Sequence, residues 1–300
     1  MAQRSAASLS RAVAWRLRFL RDRLRSLPVE AEAWLGDRSD RARYPTLDES
    51  QLRRRSRSET CFIFGSGQSL DEITAAEWQA ISRHNTMAFN YFMRSRFVRV
   101  DIHLVGEIVS PDGAAPSVWR PFIREYGTLI EENPFYADTI LGVQEGLRAY
   151  QSNRLVSSGV LRPGRELFRY RRIGRGEQRA PSAALSDGLV HGAGTLVGCV
   201  NLAVILGFRE IVLAGVDLYD RRYFGGHTEL SMYSASDSDA LAATDRFDQG
   251  QSEAPHLTAN TMVRYLDDWR SRLAARGTTL SVYNPRSLLA QVLPVKDRVA

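Results

Sequence analysis

The sequence predicts an α/β protein with a Rossmann-like, mainly parallel sheet, helices on both faces, a flexible lid and an N-terminal amphipathic helical arm. Three observations predict it. From residue 60 onward short apolar runs alternate with helical patterns, the first of those runs stops at a pair of glycines, and a long helical pattern near the end is again followed by a short apolar run.

The arm comes first. Leu9, Val13, Leu17, Leu20, Leu24 and Leu27 recur every three or four residues, giving one apolar helix stripe over residues 8–27. Arg11, Arg18, Arg21 and Arg25 fall mainly opposite it, and Pro28 ends the pattern. A basic amphipathic helix of this kind suits an anionic membrane surface, packing on its own domain, or an organelle transit peptide. Residues 36–58 are polar and charged and read as a linker, so residues 1–58 are assigned to arm and linker and 59–300 to the Rossmann-like domain.

Within that domain Thr60–Phe64 is a buried strand. Thr74 and Glu77 stand at capping-box spacing ahead of a helix that carries Trp78 and Ile81. Residues 86–89 and 100–105 read as strands and 118–131 as a helix, while 134–185, rich in Arg and Gly, yields no assignment. A helix over 194–206, the strand Glu210–Ala214, a helix over 259–275 ended by Gly277, the strand 279–283 and a helical run over 287–293 complete the order. The stretch 225–255 is rich in Gly, Ser, Asp and Ala and reads as a lid or an insertion.

Composition narrows the classes. Of the 300 residues, 44% are apolar and 25% charged, as in an ordinary globular protein. No run approaches the roughly 20 apolar residues that a membrane span needs. Cys61 and Cys199 sit in apolar segments and read as buried thiols of a reducing compartment, which makes the cytoplasm the expected address, with the arm peripheral on the inner face of the plasma membrane. The positive charge is concentrated in the first 57 residues, and the near-neutral body gives no reason to expect nucleic acid.

Sheets of this type bind ligands beyond the carboxyl ends of their strands. The loops to read therefore begin near residues 65, 90, 106, 215 and 284. Gly65-Ser66-Gly67-Gln68-Ser69-Leu70 offers backbone N–H groups and two hydroxyls to a phosphate or sugar, or is a tight strand-to-helix turn. It lacks the third glycine of the dinucleotide fingerprint and the Gly-Lys-Ser/Thr of a P-loop. Asn90 ends the second strand, where a carboxamide can read a base or sugar or simply make a turn. The run Ala214–Tyr223 carries Asp217, Tyr219, Asp220, Arg221, Arg222 and Tyr223. Its tyrosines and arginines can bind a phosphate without metal. Asp217 and Asp220 are the alternative magnesium pair, but their spacing is not D-x-D and no metal site is assigned. His256, just before the helix at 259, can take a proton near neutral pH. His191, His227 and His103 compete with it by position alone.

Five segments in the same order resemble the bacterial sialyltransferases of glycosyltransferase family 42, which decorate lipooligosaccharide. They are CFIFGSGQSLDEI (61–73), Asn90 with its flanks, GTLVGCVNLAVILGFREIVLAGVDLY (194–219), His256 before its helix, and YNPRSLLA (283–290). The resemblance implies no cofactor but a CMP-activated sialic acid or related nonulosonate as donor, a glycan or glycolipid acceptor, and inverting, metal-independent transfer. It implies that Ser66, Asn90 and Thr195 contact the nucleotide or donor sugar, with Gly65, Gly67, Ser69 and Asp217 building the same binding site. Tyr219 and Tyr223 would hold the departing phosphate, and His256 would be the general base. Ser66, Gln68, Gly192 and Gly106-Glu107 depart from the family pattern around the sugar, with Arg154, Arg162 or His191 as spatial substitutes for an arginine expected at 192. Alternatives are a pterin pyrophosphokinase-like or motility-associated glycosyltransferase-like enzyme sharing the glycine loop, and a non-catalytic membrane-peripheral module. A homo-oligomer is compatible with all of these.

Overall fold

A computed structural model describes residues 42–105, 116–145, 155–174, 178–219, 223–226 and 259–299. The arm at 8–27, most of the 225–255 stretch, Gly106, Glu107, Arg154, Asp220, Arg221, Arg222, His227 and His256 lie outside the described residues.

Eight strands form one parallel sheet: β1 (Thr60–Phe64), β2 (Asn85–Phe89), β3 (Ile102–Leu104), β4 (Ile140–Glu145), β5 (Leu167–Ile173), β6 (Leu189–Val190), β7 (Glu210–Ala214) and β8 (Thr279–Val282). Their spatial order is β6-β5-β4-β3-β2-β1-β7-β8, and every pairing is parallel. Side-chain alternation divides β1 cleanly. Cys61 and Ile63 enter the core beneath helices α4 (Thr195–Leu206) and α5 (Ala259–Ala274), and Phe62 and Phe64 enter the core beneath α2 (Ala75–Ile81) and α3 (Pro116–Glu131). This is the expected Rossmann-like α/β architecture.

Local chemistry explains the elements that sequence reading placed. Thr74 accepts from the Glu77 N–H while the Glu77 carboxylate accepts from the Thr74 N–H, the reciprocal box that starts α2. The helix α4 is apolar almost all round and buried almost all round, ending at Gly207 with φ 86°. The two strands between 134 and 185, and the short β6 that follows them, gave no sequence signal for identifiable reasons. Gly142 interrupts β4, because a Cβ there would stand 2.4 Å from the ring of Phe168. β5 carries three arginines, and β6 has two residues.

The segment expected as a linker is instead part of the fold from Tyr44 onward. Leu47 N–H donates to the Leu167 carbonyl at 2.7 Å and Leu167 N–H donates to the Pro45 carbonyl at 2.8 Å. β6 pairs only with Arg172 and Ile173, so this strap covers the other end of the β5 edge. Tyr44 is buried with its hydroxyl on the Leu161 carbonyl, and α1 (Glu49–Arg53), capped by Asp48, inserts Leu52 into the core. The apolar positions are too sparse to show periodicity, which is why the segment read as polar. Among the described residues no helix is long and apolar enough to cross a membrane.

Candidate functional site

The chain lays down β1 to β6 in one direction, then returns through α4 to place β7 on the other side of β1. The order therefore reverses between β1 and β7, and the crevice outside their carboxyl ends is where open α/β sheets take ligands. The loops after β1 and β7 are those that carry Gly65–Leu70 and Gly215–Tyr219.

These loops are pressed together. Gly65 N–H donates to the Ala214 carbonyl and Gly67 N–H to the Gly215 carbonyl, each at 2.8 Å. A Cβ on Gly65 would lie 2.3 Å from the Gly215 oxygen, and one on Gly67 would lie 2.4 Å from Asp217 Oδ2. The glycines are thus required by the approach of one loop to the other, and the N–H groups of Gly65 and Gly67 point into the protein. Ser66, Gly67 and Gln68 remain half-buried at the surface of the loop, whereas Ser69 and Leu70 are buried.

Asp217, 3% exposed, is the clasp. Its Oδ2 accepts from Ser69 N–H at 2.9 Å, and its Oδ1 accepts from the Ser69 hydroxyl at 2.5 Å and from Asn284 Nδ2 at 2.9 Å. Both oxygens are committed to the protein. Among the described residues there is no group of three His, Cys, Asp or Glu side chains that could hold a metal ion.

Tyr219 and Tyr223 flank this clasp. Tyr219 is 40% exposed, and Asn284 Nδ2 donates to its hydroxyl at 3.4 Å. Leu218 before it has φ 62°, a left-handed conformation that turns the chain outward at a cost. Tyr223 forms an antiparallel bridge with Gly67, while the following Phe224 donates its N–H to the Ser66 carbonyl at 3.2 Å and buries its ring against Phe92 and Phe97. The Tyr223 ring meets Tyr91 edge-on at 5.3 Å. Asn90 precedes Tyr91 in a left-handed conformation (φ 52°), which asparagine tolerates better than most residues. The fold thus gathers Ser66, Gly67, Ser69, Asn90, Asp217, Tyr219 and Tyr223 around one crevice.

Thr195 opens α4 behind Gly194. α4 joins parallel strands and runs back against them, so its first turn, the positive end of the helix dipole, lies at the carboxyl edge. α5 joins β7 to β8 in the same sense, and Met262 in its first turn comes 3.8 Å from the Cβ position of Gly194. His256 stands three residues before Ala259 in the sequence and lies outside the described residues. Tyr265 of α5 explains Gly192: a Cβ there would stand 2.3 Å from its ring, so no side chain fits at 192. Arg162 precedes β5 and contacts the Ala137 carbonyl, at the opposite edge of the sheet, and does not replace it.

The other described candidate histidines are turned inward. His103 is held between the hydroxyls of Tyr136 and Tyr126, each at 3.0 Å. His191 stacks on Tyr170 at 5.5 Å and directs a partnerless Nε2 beneath α4, into space left by Gly198. Burial pushes both imidazoles down from 6.5 to about 3, aided at His191 by Arg172. Neither is charged at neutral pH, and neither faces the crevice. An unfolded chain takes up a proton at each below about 6.5, whereas the native chain does so only near 3, so stability is lost as pH falls through that window. Thermal melts are expected to show Tm declining from pH 6.5 towards 4, and a Tm constant over that range would contradict the buried neutral state.

Sequence reading named the loop near 284 without choosing a residue in it. Asn284 and Arg286 are the side chains it contributes. An Asn-Pro step directly after a strand was the available signal, because it marks an extended residue and a turn. Arg286 ion-pairs with Glu72 across the mouth of the crevice, an exposed contact of small energetic weight.

No protein-family model and no curated protein matches the chain. Among solved structures it is similar to the crystal structure of the monofunctional alpha-2,3-sialyltransferase Cst-I from Campylobacter jejuni, at 12% sequence identity, with 80% of this chain and 81% of that chain covered and a TM-score of 0.44.

Proposed function

We propose that the chain is a glycosyltransferase that moves a sialic acid, or a related nonulosonate, from a CMP-activated donor to a glycan or glycolipid acceptor. The observation that carries this reading is the crevice at the β1/β7 switch point, where the loops with the sialyltransferase-like motifs converge. In this reading Ser66, Asn90 and Thr195 contact the donor, and Gly65, Gly67, Ser69 and Asp217 shape the loop that receives it. His256 takes the proton from the acceptor hydroxyl as its oxygen attacks the anomeric carbon from the face opposite the phosphate. The bond from that carbon to the phosphate oxygen breaks, and CMP leaves with the negative charge. Tyr219 and Tyr223 donate to the phosphate, where charge grows in the transition state. Neither acid nor metal is needed on the leaving group when donors of this kind are in place. The basic arm at 8–27 would bring the enzyme to an anionic membrane surface that presents the acceptor.

A thermal-shift panel of CMP, CDP, UDP, ATP with magnesium, and S-adenosylmethionine tests the reading. CMP at about 100 times its Kd is expected to add about 2.7 kcal/mol of stability. Stabilisation by ATP and magnesium with none by CMP would instead support a pyrophosphokinase-like enzyme.

A further inference from the structure

Asn284 is buried (5% exposed) two residues beyond β8, and the following Pro285 disfavours a helical backbone there. Its carboxamide has one self-consistent orientation. The Nδ2 group faces the Asp217 carboxylate, to which only a donor can turn, and Oδ1 accepts the Arg286 N–H at 3.0 Å. The second Nδ2 proton is then directed at the Tyr219 hydroxyl oxygen, 3.4 Å away. A phenol whose oxygen accepts from an amide presents its own proton elsewhere, and among the described residues that proton has no acceptor. Tyr219 is 40% exposed, and the Arg286 guanidinium nearby is ion-paired with Glu72.

We propose that Asn284 is a positioning residue that, locked by Asp217, fixes the Tyr219 hydroxyl as a hydrogen-bond donor to the crevice and so selects an anionic oxygen of the bound nucleotide. The inference rests on the reading above, in which Tyr219 donates to the phosphate, and adds the residue that sets its hydroxyl for that contact. A 3.4 Å contact in the absence of ligand is of the kind that tightens when an anion draws on the hydroxyl. The signal runs across three loops, after β1, β7 and β8, through Ser69, Asp217, Asn284 and Tyr219.

Affinities for CMP and for cytidine, measured by calorimetric titration on the full chain, separate this role from mere support of the loops. Asn284→Ala is expected to weaken CMP by about tenfold, the weight of one charge-assisted hydrogen bond, and to leave cytidine unchanged. Tyr219→Phe, a change at an exposed side chain that the fold tolerates, is expected to give the same selective loss, and the double variant no further loss. Equal weakening of CMP and cytidine, or no change in CMP, in the Asn284 variant would overturn the inference while leaving the nucleotide reading intact. If Asn284→Ala does not fold, Asn284→Ser, which removes the amide donors but keeps a small polar side chain, decides by the same comparison. A native chain that binds no CMP would overturn both.

Discussion

Asp217→Ala is expected to destabilise the protein by about 3 kcal/mol and to abolish nucleotide binding at concentrations that saturate the native chain. The carboxylate is 3% exposed and takes three donors: Ser69 N–H, Ser69 hydroxyl and Asn284 Nδ2. Truncation leaves all three buried and unpaired, at about 1–3 kcal/mol each before relaxation and water entry reduce the sum. The loops after β1, β7 and β8 then lose their common anchor. Asp217→Asn makes the argument sharper. Its amide keeps the shape and one acceptor, but its NH2 would face either the Asn284 NH2 or the Ser69 N–H, donor against donor. It is therefore expected to lose nearly as much stability as the alanine variant. Chemical denaturation of the three proteins measures this, and an Asp217→Asn variant as stable as native would remove the clasp from the account.

His256→Ala is expected to lower the transfer rate by roughly 10²–10⁴, the usual contribution of a positioned general base, while changing CMP affinity little. The prediction follows from where the other histidines stand. His103 and His191 are buried, neutral at working pH and turned away from the crevice, and His84 stands at the amino end of β2 with its Nδ1 3.4 Å from Ser58 Oγ, which leaves His256 and His227 as candidates for the proposed base. His256 is favoured because it precedes α5, whose first turn reaches the carboxyl edge beside Gly194. Steady-state kinetics with a CMP-activated nonulosonate and a glycan acceptor provide the check. Full activity of His256→Ala beside an inactive His227→Ala would transfer the role to His227.

Much of the scaffold was legible because it is written in local periodicity. Thr60–Phe64, the Thr74–Glu77 box, α4, β7 and α5 carry their own apolar spacing or cap, and each is found within a few residues of its expected place. The strands β4, β5 and β6 were not legible, since an interior glycine, three arginines and a two-residue length erase the pattern that burial normally leaves. The strap at 44–57 was missed for a related reason: it is held by backbone hydrogen bonds and a few apolar anchors, which leave almost no signature in composition.

The candidate site was legible by position and less so by role. Loops at strand ends pointed to Gly65–Leu70, Asn90, Asp217, Tyr219 and Tyr223, and the fold gathers all of them. The chemistry of each then depended on which partner arrived. Gly65 and Gly67 were open to a phosphate in the sequence, and in the fold they are taken by the backbone of Gly215 and the side chain of Asp217. Asp217 was assigned to the ligand site with capping of the next segment as the equal alternative and no metal site assigned, and its hydrogen bonds commit it to Ser69 and Asn284.

What the sequence by itself determined was the α/β class, the order of its main elements and the strand-end loops where a ligand would be met, because these follow from spacings of two to four residues. What only the tertiary structure decided was that β7 inserts beside β1, which creates the switch point, and that residues 69, 217, 219 and 284 share one hydrogen-bond network. Those partners are separated by up to 148 positions along the chain. No local periodicity encodes such a pairing, which exists only once the sheet has set the register that brings the three loops together.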